Sequence, residues 1–217
     1  MNIEINVPSS LAEITLGQYQ KFQKIAENNP DGNFLNAKMI EIFCGIPLSD
    51  SYKLKMSSVT AILDILNEML EITPQHVERF KMNGIEYGFI PDLDEMSLGE
   101  YIDLDNNASN WEQMDVAMNV LYRPIKTSKV GKYNIEDYDV KFPEVLKDMP
   151  LDAAIGSLFF FYNLGTELAK HTIQSLDSQA EMEVIQEQLT LAKSGVGINQ
   201  FMDSLTEILQ NLKISLN

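Results

Sequence analysis

The chain has 217 residues, 45% of them hydrophobic, with 32 acids against 16 bases and a net charge of −16. So much apolar material supports a packed core and argues against a disordered chain. The negative field repels phosphate backbones, and only Arg79 and Arg123 are arginines, so direct nucleic-acid binding is not expected.

Residues 2–7 alternate Asn-Ile-Glu-Ile-Asn-Val, which predicts a short strand with one buried face. A helix over about 16–28 follows. Thr15 and Gln18 stand at capping-box spacing before it, and Asn29-Pro-Asp-Gly32 stops it. A second helix, about 34–44, ends at Gly45 with Pro47 beyond. A third spans about 57–71, with Val59, Ile62, Leu63, Leu66, Met69 and Leu70 on one stripe. Pro74 opens a short helical piece to residue 80, and Asn83-Gly84 then marks a turn before a strand over 85–90.

That strand begins a second copy of the opening stretch. Segments 3–19 and 85–101 match at Ile3/Ile85, Glu4/Glu86, Leu11/Leu93, Glu13/Glu95, Leu16/Leu98, Gly17/Gly99 and Tyr19/Tyr101, at constant offset. Both carry a capping box, Thr15/Gln18 and Ser97/Glu100. Both also offer a hydrophobic staple, Ile14/Tyr19 and Met96/Tyr101. Each copy reads as strand, loop and firmly started helix; pairing of the two strands in a small sheet and a coincidence of two well-capped helices both fit the pattern. The natural division is 1–81 and 82–217, or one continuous domain.

After Tyr101 the copies diverge. Residues 102–110 read as a polar loop with a new cap, and a helix over about 111–122 is ended by Arg123-Pro124. Residues 125–141 read as a loop or hairpin around Gly131. From 151 to about 183 the pattern is helical, with Phe159, Phe160, Phe161 and Tyr162 covering a full turn. At least one of those rings must face a second packing surface. Segments 182–192 and 198–214 are joined by Ser194-Gly-Val-Gly197, and the last places Phe201, Leu205, Leu209 and Leu212 in one row. The sum is a mainly α, multi-helix fold with a small β element.

The chemistry-bearing residues are sparse. Cys44, the only cysteine, lies in an apolar helix end and reads as a buried thiol. With no internal disulfide possible and no secretory leader after Met1, synthesis in the cytoplasm is expected. The most apolar stretch, 153–164, falls short of the ~20 residues of a membrane span. His76 and His171 stand apart from any cysteine or shared carboxylate, and no cofactor or metal motif occurs. Asp92/Asp94 and Asp103/Asp105 repeat Asp-Leu-Asp. Convergence of these four on one divalent ion would make the chain a metal-dependent hydrolase, a remote alternative; solvated loop acids are the ordinary reading. Arg123, following a buried helix in a chain that uses lysine seven times as often as arginine, suggests a bidentate carboxylate partner.

Four segments carry a resemblance: Gly88-Phe-Ile-Pro-Asp-Leu-Asp94, Ser97-Leu-Gly-Glu-Tyr-Ile-Asp-Leu-Asp105, Val120-Leu-Tyr-Arg-Pro124 and Phe159-Phe-Phe-Tyr-Asn-Leu-Gly-Thr-Glu-Leu168. Over about residues 80–170 the chain resembles virion-assembly gene-block proteins of tailed bacteriophages, including the crAss-like group and other phages of Bacteroidetes. The resemblance implies a non-enzymatic protein made in the host cytoplasm and located in the virion. Its roles would be a homo-oligomeric ring component of the portal, neck or tail, cargo carried in the particle, or alternatively a tail assembly chaperone. Its partners would be other phage structural proteins. The candidate interface comprises Phe159, Phe160, Phe161, Tyr162, Arg123, Phe201, Leu205 and Leu209.

Overall fold

A hairpin begins where the sequence suggests a helix. In the computed structural model, which describes residues 5–29, 32–129, 131–141 and 143–174, with side chains as far as Leu164, β1 (Arg79–Met82) turns into β2 (Ile85–Phe89). Asn83 and Gly84 form the two-residue turn with φ of 51° and 79°. Positive φ at both positions matches the right-handed twist of the flanking strands, and Asn-Gly is the pair that adopts it most cheaply. The closed register, Met82 against Ile85 and Arg79 against Gly88, draws residues 79–80 out of the helix expected after Pro74. Local helix propensity loses to a ladder of paired backbone groups.

The sheet continues with β3 (Tyr122–Lys129) and β4 (Lys132–Ile135), giving a four-stranded antiparallel meander in the order β1-β2-β3-β4. The mainly α expectation is therefore corrected to a mixed α/β fold. The sheet was underestimated because β3 begins inside the segment read as the end of a helix. Tyr122 already pairs with Phe89.

Seven helices lie among the described residues: α1 (Leu16–Asn28), α2 (Asn33–Cys44), α3 (Leu48–Ser51), α4 (Met56–Leu70), α5 (Leu98–Asn107), α6 (Met114–Leu121) and α7 (Leu151–Gln174). Both capping boxes form. Thr15 accepts from the Gln18 N–H while Gln18 accepts from the Thr15 N–H, and Ser97 and Glu100 do the same. Replacing either hydroxyl leaves a helix-end N–H without its acceptor. Thr15→Ala and Ser97→Ala are each expected to lower the unfolding free energy by about 1 kcal/mol, read as a lower urea midpoint at unchanged slope.

The repeat is local. Residues 5–7, the described part of the first expected strand, have no strand partner among the described residues. β2 is already flanked by β1 and β3, so it has no free edge for the first copy. The first copy instead meets the segment before α7. Thr15 bridges Pro150, the Leu16 N–H donates to the Met149 carbonyl at 2.9 Å, and the Leu151 N–H to the Ile14 carbonyl at 2.9 Å. α5 also runs to Asn107, through residues read as loop. Its polar sequence hides a buried stripe, Glu100, Leu104 and Ala108, at four-residue spacing.

The core is one contiguous cluster running from Leu11 to Phe159, with Ile14, Leu16, Ile40, Leu66, Met118, Leu121, Tyr122, Leu151 and Leu158 almost fully enclosed. α7 passes Gly156 unbroken, and the missing side chain there leaves room for the Gln75 carbonyl, which a Cβ would meet. Cys44 is buried and unpaired, and burial pushes its thiol up to about 11. Among the described residues no helix is long and apolar enough to cross a membrane.

Candidate functional site

The loop from β2 to α5 builds the site. Ile90 is held to the end of α6, its N–H donating to the Leu121 carbonyl at 2.7 Å, and the chain then turns through Pro91 and Asp92. Asp92 accepts the Asp94 N–H at 3.0 Å, a short-range turn contact that polar loop acids commonly make. Between this loop and the end of β4 opens a cleft of about 640 Å³. Asp92, Glu95, Ser97, Glu136 and Asp137 are exposed in its lining, while Glu100 and Arg123 are buried.

Glu100 joins three elements. One carboxylate oxygen accepts the Ser97 N–H at 2.8 Å and starts α5; the other meets Arg123 Nη1 of β3 at 2.8 Å. The residues are only 7% and 8% exposed, so water screens this pair little. Burial pushes the Glu100 carboxyl upward. The hydrogen bonds with Ser97 and the Arg123 guanidinium outweigh that and hold it below its ordinary value. Beside them the Tyr138 hydroxyl donates to Asp103 at 2.8 Å; burial and this carboxylate both raise its pKa. Arg123 Nε is buried without a hydrogen-bond partner among the described residues.

A second cleft of about 530 Å³ lies across the same loop and shares Ile90, Pro91 and Asp92. It exposes His76, whose ring stacks on Phe160 at 4.7 Å and stands edge-on to Phe89 at 4.5 Å. Burial lowers the His76 pKa against the opposing pull of Glu78. Tyr133 closes the sheet side. Its hydroxyl donates to the Phe89 carbonyl at 2.7 Å, and its ring fills the space a side chain at Gly88 would take. A third hollow, of about 440 Å³, lies between α2 and α4 and includes the exposed Tyr52 and Met56.

The residues singled out from sequence are distributed unevenly about these features. Arg123 finds its carboxylate within the chain, as Glu100. Phe159 is buried in the core at 7% exposure. Phe160 and Phe161 pack against Phe89, and Tyr162 is half-buried against the same core, so the second packing surface is the chain's own sheet. Phe201, Leu205 and Leu209, and the His171 side chain, lie outside the described residues. Asp92 lines both clefts, whereas Asp103 is held by Tyr138. Among the described residues no group of three or more His, Cys, Asp or Glu side chains is arranged to hold a metal ion.

Sequence reasoning placed Glu100 only as a helix cap and missed its second role. The signal was present: a capping carboxylate uses one oxygen and leaves the other for a cation, and the chain has few arginines to offer. Tyr138 and the α2–α4 hollow carried no comparable signal. No protein-family model, curated protein or solved structure matches this chain.

Proposed function

We propose that the chain is a non-enzymatic virion-assembly protein of a tailed bacteriophage, acting by protein–protein contacts in a multi-copy portal, neck or tail assembly, or carried within the particle. The observation that supports this reading is convergence. The four segments that resemble such proteins are scattered along the sequence, yet they pack into one unit around the β2–α5 loop. Ile90 bonds to Leu121, Glu100 pairs with Arg123, and Phe89 contacts Tyr122, Phe160 and Phe161. The segments that carry the resemblance thus share one packed neighbourhood, and that is what supports the reading.

The buried charges beside the larger cleft suit a scaffold role. Glu100 is committed to Arg123 and Ser97, and Asp103 to Tyr138. Groups held in this way fix a loop in place; a general acid or base needs a proton-exchanging atom open to its substrate.

Quantitative mass spectrometry of gradient-purified particles tests the reading. Multi-copy recovery at constant ratio to the capsid protein is the expected result. Abundance in infected-cell lysate with absence from particles would replace it with the assembly-chaperone role.

A further inference from the structure

We infer that the acidic cleft seats the β3–β4 hairpin of a second copy of this chain, head to tail. The inference rests on the multi-copy reading above and names the contact that would build it. The two surfaces are opposite in charge. Lys126, Lys129 and Lys132 are exposed on the hairpin, and no acid occurs from residue 126 to residue 135, in a chain of net charge −16. The cleft carries Asp92, Glu95, Glu136 and Asp137, all exposed. Among the described residues only Lys126 and Asp137 use each other, at 3.3 Å. Lys129, Lys132, Asp92, Glu95 and Glu136 have no ion-pair partner there.

Arg123 lies beneath the acidic rim, more than nine-tenths buried, with Nε lacking an acceptor among the described residues. Glu100 neutralises that guanidinium at 2.8 Å, so the exposed rim acids set the charge of the occupant, and the hairpin brings the ammonium groups of Lys129 and Lys132.

Within one copy only Lys126 pairs with a cleft acid, at Asp137. Lys132 stands about 7 Å along β4 from Asn134, the nearest lining residue on that strand, and has no ion-pair partner among the described residues. A β-bulge between Ile125 and Thr127 bends the base of the hairpin, and Lys129 and Lys132 flank its tip. Two different patches on each copy then make a heterologous contact, which propagates and closes into a ring where the rotation allows.

Sedimentation velocity on the full chain tests this with two charge-reversed variants, K129E/K132E and E95K/E136K. All four positions are exposed, so each variant is expected to melt with the wild type. Wild type is expected to associate at about 50 mM salt and to weaken roughly tenfold or more at about 500 mM. Each variant alone should lose association to a similar degree, and an equal mixture of the two should regain it, because every junction then joins opposite charges. A wild type that stays monomeric, a variant that associates like wild type, or a mixture that fails to recover would each overturn the contact. Particle mass spectrometry separates this from the broader reading. Presence in particles with salt-insensitive association sinks the contact alone, whereas absence from particles sinks the virion role alone.

Discussion

Arg123→Met is expected to lower the unfolding free energy by about 3–5 kcal/mol, the usual cost of removing one partner from a buried ion pair. The Glu100 carboxylate would stay 7% exposed, keeping its Ser97 N–H but losing the guanidinium 2.8 Å away. The penalty comes from the stranded charge more than from the lost attraction, and two further measurements separate these. The double variant Glu100→Gln/Arg123→Met should recover much of the loss, because a buried pair replaced by neutral groups leaves no stranded charge. The deficit of Arg123→Met should also shrink on acidification from about pH 7 to about pH 4. In the wild type the Glu100 carboxyl is held below its ordinary value, so its contribution is present above the unfolded pKa and is lost as pH falls through the folded one. In the variant, desolvation no longer meets the guanidinium, and protonation relieves the site. Urea titrations across that range read the difference. A deficit that stays constant with pH would show that Arg123 acts by packing alone.

Gly156→Ala is the second large effect, a net loss of about 2 kcal/mol. Alanine in a helix interior normally gains about 1 kcal/mol over glycine. Here the new Cβ would stand 2.4 Å from the Gln75 carbonyl oxygen and 3.1 Å from its carbon. Those atoms are backbone and cannot rotate away, so the overpacking cost falls near the upper end of its range, about 3 kcal/mol. The expected fall in Tm is about 4–8 °C for a chain of this size. Gly99→Ala in α5 is the control: nothing lies within 4 Å of its new Cβ, so the change should be neutral or stabilising by about 0.5 kcal/mol. Equal behaviour of the two variants would mean α7 does not press on residues 75–76.

These two sites show how far local reading reaches. Helix starts were legible because a capping box is complete within four residues. Thr15/Gln18 and Ser97/Glu100 both form as their spacing predicts, and α1 begins and ends as expected. The α2 stop was legible in the same way: Gly45 takes φ of 69°, the left-handed position that closes a helix. The Asn83-Gly84 turn also declared itself through turn chemistry, while residues 125–141 were legible only as a loop or hairpin, of which β3–β4 form the hairpin.

The sheet and the cleft did not. Residues 74–82 carry weak signals for both helix and strand, and pairing with β2 decided between them. Tyr122 ends a buried helical run in sequence yet begins β3, because Phe89 and Gly88 pair with it and with Arg123. The aromatic run at 159–162 announced a second packing surface but not which one. Phe89 and His76, brought up by the hairpin, provided it. By itself the sequence determined where α1 and α5 start, where α1 and α2 stop, the Asn83-Gly84 turn, the acidic balance and the lysines of residues 126–132, since each depends on neighbours within a few residues or on composition. Only the tertiary structure decided the strand order, the Glu100–Arg123 pair and the cleft above it. Those rest on contacts between residues tens of positions apart, whose energy exists only once the chain has closed around them.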